Sequence, residues 1–210
     1  MTTLYIERST SRQTAAVVSD GVLAADAVLG GEGRGGEWAV ALENLIAPFS
    51  VDAVAVGTGP GSFAGIRGAI AFAQGFAAFS GRKTFGLPSP CAYAAEGRAT
   101  VAIGDARRGK LWIAMFDGFT PAAPVFQIDA AREACEAFAE ERLSSPAFAA
   151  ADIVSPDHRR IGAFLEDAFR GRYAGGLLPE AAGLARAALA NPSLLAPDPL
   201  PVYLNPAVRP

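Results

Sequence analysis

The sequence predicts an α/β fold with mixed sheets flanked by helices, and three observations support this prediction. Each half of the chain begins with short segments typical of strands and continues with helical segments. The 210 residues are 51% hydrophobic, enough to fill one large domain or two lobes of about 100 residues each. A turn rich in glycine and proline joins a buried strand to a helix near residue 60. We expect an N-terminal lobe over residues 1–98 and a C-terminal lobe over residues 99–210.

In the N-terminal half, period-two apolar patterns predict a three-stranded meander, which is followed by helix, strand, helix and strand. The predicted strands cover residues 3–7, 13–18, 22–29, 51–56 and 84–87, with a hairpin turn at 19–21 and a flexible glycine loop at 30–36. The predicted helices cover residues 37–49, 63–79 and 88–96. The first has an apolar face composed of Trp38, Ala41, Leu42, Leu45, Ile46 and Phe49.

The C-terminal half repeats the order of strands before helices. Strands are predicted at 100–105, 110–116, 125–128 and 149–154, and helices at 129–143, 158–169 and 179–189. Residues 191–210 contain six prolines and cannot be regular for long. We expect the apolar cluster in this tail, Val202-Tyr203-Leu204, to dock on the body of the protein.

Composition and charge exclude several classes of protein. The net charge is −3 and no basic run exceeds three residues, so this chain alone is not expected to form a nucleic-acid groove. The first nine residues lack a signal-peptide pattern, and the most apolar helix contains Arg67 and Gln74, which argues against a membrane span. Cys91 and Cys135 have neither metal spacing nor disulfide density. We expect a cytoplasmic protein with two buried thiols.

The stretch from Val51 to Arg67 organises the N-terminal half. It combines a β-branched strand, a turn with Gly57, Gly59, Pro60 and Gly61, and a helix for which Ser62 is a suitable N-cap. Such a turn can bind an anion with its backbone N–H groups, or it can let another backbone approach closely.

Known phosphate-binding and nucleophile motifs fit this turn poorly. A Walker A loop requires a lysine, and residues 1–82 contain none. A dinucleotide fingerprint, Gly59-x-Gly61-x-x-Ala64, lacks the acid about 20 residues further on, because residues 59–95 contain no acid. A nucleophile elbow around Ser62 fails, since Pro60 and Ala64 replace its glycines.

The helix after the turn has glycines on one side. Helical spacing aligns Gly61, Gly65, Gly68, Phe72, Gly75 and Phe79. Each glycine inside a helix costs about 1 kcal/mol relative to alanine, so another surface is expected to pack closely there. That surface belongs either to the same chain or to another subunit.

The sequence offers no complete catalytic constellation. His158 is the only histidine and lies in a charged, exposed segment. The turn around Asp105, Arg107, Arg108 and Lys110 is typical of a solvated hairpin. The segment 7–11, with Glu7, Arg8 and three hydroxyl residues, could face a phosphate or form an ion pair at a strand end.

Three motifs carry a further signal, and the longest is Gly57-x-Gly59-Pro60-Gly61-Ser62-Phe63-Ala64-Gly65-Ile66-Arg67. It resembles the Gly-x-Gly-Pro-Gly-Ser-Phe-Thr-Gly-Leu-Arg signature of a known family, the TsaB (YeaZ) proteins of bacterial tRNA threonylcarbamoyladenosine biosynthesis. The family's other two motifs are similar to Ala102-Ile103-Gly104-Asp105-Ala106-Arg107-Arg108-Gly109-Lys110-Leu111-Trp112 and to Pro201-Val202-Tyr203-Leu204-Asn205. The matches follow the family's order over nearly the full chain.

The resemblance implies the two-lobed actin-like, ribonuclease-H-like (ASKHA) fold and a pseudo-enzyme subunit. The implied partners are a TsaD-like transferase, bound through helices of the N-terminal lobe, and a TsaE-like ATPase. The residues expected to bind the partner are Trp38, Leu42, Gly61, Gly65, Ile66, Gly68, Ala69, Phe72 and Gly75. We expect this chain alone to bind no cofactor, metal or membrane, while the partner subunits use ATP and a metal. tRNA would be reached indirectly through the complex, and the isolated chain could form a homodimer.

Three departures from the family pattern remove or shift polar groups. Ile6-Glu7-Arg8-Ser9 replaces Ile-Asp-Thr-Ser, Gly35-Gly36-Glu37 replaces His-Ser-Glu, and Ala64 replaces a threonine. The candidates for any nucleotide or phosphate contact are Ser9, Thr10, Gly59 and Gly61. The alternative function is an ATP-binding enzyme with the actin or sugar-kinase fold. A peptidase is disfavoured, since no nucleophile–histidine pair is evident.

Overall fold

The computed structural model describes residues 1–30 and 37–204, which divide into two compact units. Of these residues, the first unit contains those within Met1–Ala92 and Pro179–Val202, and the second contains Tyr93–Leu178 with Tyr203 and Leu204. This division differs from the expected boundary at residue 98/99. The segment after Pro179 returns to the first unit because helix α5 (Ala181–Ala190) packs against the first two strands of its sheet.

The first unit contains a six-stranded mixed sheet. Its strands are β1 (Thr2–Glu7), β2 (Gln13–Ser19), β3 (Val22–Gly30), β4 (Ala53–Gly57), β5 (Lys83–Leu87) and β12 (Ala196–Pro197). Their order across the sheet is β12-β5-β4-β1-β2-β3. Strands β1, β2 and β3 form the predicted antiparallel meander, whereas β1, β4 and β5 are parallel. Parallel neighbours require crossover connections, which the helices between them provide.

Two helices, α1 (Glu37–Ile46) and α2 (Phe63–Ser80), pack on one face of this sheet. The core lies between the sheet and the two helices. It is formed by alternate residues of the strands and by one face of each helix, as the sequence patterns predict. Its fully buried members include Leu4, Ile6, Val17, Leu42, Val54, Val56 and Ala69. Burying such side chains contributes about 1.5–3 kcal/mol each relative to exposure.

The second unit contains another six-stranded mixed sheet. Its strands are β6 (Ala99–Arg107), β7 (Lys110–Asp117), β8 (Thr120–Pro121), β9 (Phe126–Asp129), β10 (Asp152–Ser155) and β11 (Tyr173–Gly176). The order is β11-β10-β6-β7-β8, and β9 also pairs with β7. Helices α3 (Arg132–Phe138) and α4 (His158–Ala168) pack on it around Ile103, Ile113, Phe138 and Leu165. The predicted class of mixed sheets flanked by helices is therefore confirmed.

Several local predictions differ from the structure. The predicted helix 129–143 begins at Arg132 and changes to a π-helix over Ala139–Leu143, and the predicted helix 88–96 is a short 3-10 helix, Ser89–Tyr93. Strand β11 was not predicted, because its Tyr-Ala-Gly-Gly sequence has little strand propensity. Residues 31–36 of the predicted glycine loop lie outside the described residues.

The tail contacts the first unit through its backbone, as far as Val202 of the predicted docking cluster. The Val202 N–H donates to the Thr58 carbonyl (2.9 Å), and β12 pairs with β5. Tyr203 of the predicted docking cluster is instead 59% exposed.

Cys91 and Cys135 are free and buried, which confirms the prediction of two buried thiols.

Candidate functional site

The glycine turn connects β4 to α2, and its backbone requires glycine at two positions. Gly59 has φ 93° and Gly61 has φ 153°, values that side-chain-bearing residues rarely adopt, and the Gly59–Pro60 peptide is cis. Ser62 is the N-cap of α2, as predicted, and its hydroxyl accepts a hydrogen bond from the Gly65 N–H (3.3 Å).

Three of the N–H groups that an anion could use are bonded within the protein itself. Thr58 donates to the Leu87 carbonyl (2.9 Å), and Gly59 donates to the Ser89 hydroxyl (3.0 Å). The Ser62 N–H donates to the carbonyl of Ser9 (2.6 Å). A phosphate would have to replace these bonds, since each N–H has one proton to donate. At these three positions the turn is packed against its neighbours, and its N–H groups are not free for a ligand.

The four residues considered for nucleotide contact make contacts within the chain itself. Ser9 is 3% exposed and Gly59 is buried, while the Thr10 hydroxyl donates to the Arg12 carbonyl (3.2 Å). Gly61 is exposed, yet a Cβ there would overlap the Ser9 carbonyl. Nucleotide contact by these residues stays a prediction, and the geometry places backbone against backbone where a phosphate would enter.

Glu7, at the end of β1, points into the core rather than toward a ligand. It is fully buried, and its Oε1 accepts the Ser9 N–H (2.5 Å), whereas Oε2 has no hydrogen-bond partner among the described residues. Gly57 must be a glycine because Oε2 occupies the place of its Cβ. Burial raises the pKa of the Glu7 carboxyl, which favours its neutral form.

Three of the glycines on the predicted face pack against the same chain. A Cβ on Gly61 or Gly65 would overlap the carbonyl of Ser9 or Arg8, and a Cβ on Gly68 would lie 3.0 Å from Nη1 of Arg8. By contrast, a Cβ on Gly75 would meet nothing within 4 Å. Of the two interpretations left open by the sequence, intrachain packing explains the start of the helix, and only Gly75 faces open space.

Arg8, one of the departures from the family pattern, has a structural role here. Its Nε donates to Oε1 of Gln13 (2.7 Å), and its guanidinium lies 4.2 Å from the centre of the Trp38 ring. Trp38 in turn contacts Phe72 edge-on, with ring centres 5.7 Å apart. Cation–π and edge-to-face contacts of this kind each contribute about 0.5–1.5 kcal/mol. Through these contacts, Arg8 links the β1–β2 loop to helices α1 and α2.

The predicted partner-binding residues separate into two groups. Leu42, Gly65, Ile66 and Ala69 are buried inside this chain, so their assignment to a partner surface is corrected: they form the core beneath the helices. Those with accessible surface are Trp38, Gly61, Gly68, Phe72 and Gly75.

The residues missing from that prediction are large apolar side chains on the outer surface of the two helices. Phe79 is 97% exposed, while Phe63 and Val40 are each 59% exposed. The guanidinium of Arg67 lies 5.0 Å from the centre of the Phe63 ring. The glycine spacing already aligned Phe79 with Gly75, but only the fold shows which side of α2 faces solvent. We call Gly75 and Phe79, which lie one helical turn apart on α2, the outer helix face.

Other candidates give no catalytic arrangement. His158 is exposed, as predicted, and its Nδ1 lies 2.9 Å from the Tyr173 hydroxyl, with the two rings stacked. Among residues 1–30 and 37–204, no three His, Cys, Asp or Glu side chains are grouped so that they could hold a metal ion. In the same ranges, no helix is both long enough and apolar enough to cross a membrane.

Comparisons with known proteins agree with this architecture. The family model described as TsaD, tRNA N6-adenosine threonylcarbamoyltransferase, matches residues 39–152. The fold resembles an uncharacterized protein with similarity to peptidase YEAZ from Pseudomonas aeruginosa (21% identity, 97% of this chain and 99% of that chain, TM-score 0.72). It also resembles YeaZ from Pseudomonas aeruginosa (24% identity, the same coverage, TM-score 0.68). The predicted actin-like fold class is confirmed, and no curated protein matches the sequence.

Proposed function

The chain belongs to the TsaD family, and on that basis we propose that it acts in the threonylcarbamoyl modification of tRNA as a non-catalytic subunit. The predicted relationship to TsaB (YeaZ) proteins is confirmed by the family match together with the shared fold. In the proposal, this chain pairs with a TsaD-like transferase, and the pair recruits a TsaE-like ATPase. ATP and a metal are used by those partners, and tRNA is bound chiefly by the assembled complex in the cytoplasm.

The absence of catalysis is supported by the groups that the chain can offer. The resemblance implies that the transferase holds its metal with a pair of histidines, and this sequence contains one histidine. Glu7, which replaces the family's first acid, is buried and turned toward Gly57. The Thr58, Gly59 and Ser62 N–H donors at the glycine turn are already bonded within the chain. These residues stabilise the fold but present no reactive group to a substrate.

The outer helix face is the observation that carries the proposal. Phe79 is 97% exposed near the C-terminal end of α2, and Gly75 lies one turn before it with open space above it. An aromatic side chain that is this exposed can anchor a protein contact, and a glycine beside it lets a partner helix approach closely. The transferase is the proposed occupant, and the same face supports the homodimer proposed for the isolated chain.

Association with the transferase tests the proposal directly. We expect Phe79→Asp to weaken binding by about 30-fold or more, because it places a charge in a desolvated contact. Val22→Asp is the matched control, since Val22 is 67% exposed but lies on β3, outside the outer helix face. Equal binding by wild type and Phe79→Asp, with both proteins folded, would show that the transferase docks elsewhere.

A further inference from the structure

A cluster of basic side chains in the second unit is not used by the proposed function. It combines the β6–β7 turn with the first turn of α4, and consists of Arg107, Arg108, Lys110, Arg159 and Arg160. The two segments adjoin because β6 and β10 are parallel neighbours, so the end of β6 lies beside the start of the helix that follows β10. We call these five residues the basic cluster.

Asp105 joins the two segments. Its Oδ2 accepts from Nη1 of Arg160 (2.8 Å) and from Nη1 of Arg107 (3.3 Å). The side chain of Asp105 is 15% exposed, whereas those of Arg107 and Arg160 are 64% and 49% exposed. One partly covered carboxylate therefore holds two arginines that face solvent, and it neutralises only one of the two positive charges.

The other nearby acids leave further positive charge uncompensated. Asp157 turns its carboxylate away from the α4 backbone and accepts the Asp105 N–H (2.9 Å), and it is partly buried. Asp129 pairs with Lys110 (2.6 Å). Arg108 and Arg159 are exposed, and no ion pair within residues 1–30 and 37–204 involves either of them. The cluster as a whole has more positive than negative charge at its surface.

In both segments, arginine occupies positions where other residue types would stabilise the fold better. Arg107 and Arg108 have φ 68° and 54°, a region that non-glycine residues occupy at a cost in strain. Arg159 and Arg160 lie in the first turn of α4, where the helix dipole repels cations and favours acids. Folding would be better served by glycine or asparagine in the turn and by acids on the helix. The preference for arginine at these positions therefore does not come from local folding.

We infer that the basic cluster contacts the phosphate backbone of tRNA, an inference that rests on the proposed function. Four of its five cations are arginines, whose planar guanidinium groups bind phosphate oxygens through two parallel hydrogen bonds. Their distribution over two segments suits a chain of phosphates better than one small anion. The contact is independent of base sequence and adds to the binding by the complex. It modifies the expectation that tRNA reaches this chain only indirectly.

The test uses the full chain and a fluorescently labelled tRNA transcript, with binding followed by anisotropy as salt is raised from about 50 mM. The double variant Arg108→Ala/Arg159→Ala changes two exposed side chains that make no ion pair in the described structure. We expect it to bind tRNA about tenfold more weakly. The slope of log affinity against log salt should become shallower by about two, one for each phosphate contact removed. Arg142→Ala/Arg170→Ala is the control, since these arginines are exposed in the same unit.

Three results would overturn the inference. The first is a wild-type chain that shows no salt-dependent binding at low salt, and the second is an equal loss in the control. In the third, the cluster variant binds tRNA normally but loses the transferase, which would make the cluster a protein-docking surface. The Phe79→Asp variant separates this inference from the proposed function, because it should keep the tRNA affinity of the isolated chain while losing the transferase.

Discussion

The carbonyl oxygen of Arg8 lies at the place that a Cβ of residue 65 would occupy, so only glycine fits at Gly65. This contact joins the β1–β2 loop to α2 and explains why a helix tolerates glycine two residues after its start. The same loop, through the Ser9 carbonyl, accepts the N–H of Ser62 (2.6 Å). The glycine turn is thus closed by another part of its own unit.

Substituting two glycines of α2 should give opposite effects on stability. Gly65→Ala must displace the Arg8 backbone, and we expect it to lower the free energy of unfolding by about 1–3 kcal/mol. The Cβ added by Gly75→Ala meets nothing within 4 Å. This substitution should raise the free energy of unfolding by about 0.5–1 kcal/mol, because alanine has the higher helix propensity. Urea unfolding of both variants measures the difference. A neutral Gly65→Ala would mean that the loop is not packed as described.

Glu7 should make stability depend on pH. Burial raises its pKa in the folded state, so the unfolded chain releases the proton first as pH rises above about 4.3. Stability contributed by the neutral carboxyl is therefore present at low pH and is lost progressively until the pH reaches the raised folded pKa. Glu7→Gln has no proton to lose, and its stability relative to wild type should increase over that window.

Urea unfolding at several pH values between 4 and 8 checks this expectation. Glu43→Gln, on the exposed side of α1, is the control and should follow the wild-type profile. Parallel profiles for wild type and Glu7→Gln would show that the carboxyl is solvated in solution.

Arg8 should stabilise the first unit through its contacts with Trp38 and Gln13. We expect Arg8→Ala to lower the free energy of unfolding by about 1–2 kcal/mol, because it removes a cation–π contact and a hydrogen bond. Arg12→Ala, in the same loop, loses only an exposed ion pair with Glu180 and should change stability by less than about 1 kcal/mol. Equal effects of the two substitutions would contradict the role assigned to Arg8.

The isolated chain should not bind ATP tightly. The Thr58, Gly59 and Ser62 N–H groups are already hydrogen-bonded, so a nucleotide phosphate would have to displace protein acceptors. Calorimetry with ATP and magnesium should show no binding at micromolar concentrations. Saturable micromolar binding would favour the alternative, an ATP-binding enzyme of the same fold.

Much of the fold was predictable, because its elements carry strong local signals. The meander β1–β3 and helix α2 follow alternating and helical apolar patterns, and each differs from its predicted bounds by one residue at one end. Strand β11 and the return of α5 to the first unit were not predictable in this way. They depend on long-range packing, for which neither composition nor periodicity gives a signal.

The candidate site was harder to predict for a physical reason. Helical spacing correctly aligned Gly65, Gly68 and Gly75, but spacing cannot distinguish a glycine under its own loop from one facing solvent. Leu42, Ile66 and Ala69 shared the predicted surface with them and are buried. The exposure of Phe79 depends on the fold, because the opposite side of α2 packs against the sheet.

The dissociation constant of the chain with a TsaD-type transferase decides whether the chain is a partner-binding subunit. We expect tight association by wild type and by Val22→Asp, and a loss of about 30-fold or more for Phe79→Asp. Failure of the wild-type pair to associate at micromolar concentrations would contradict this expectation.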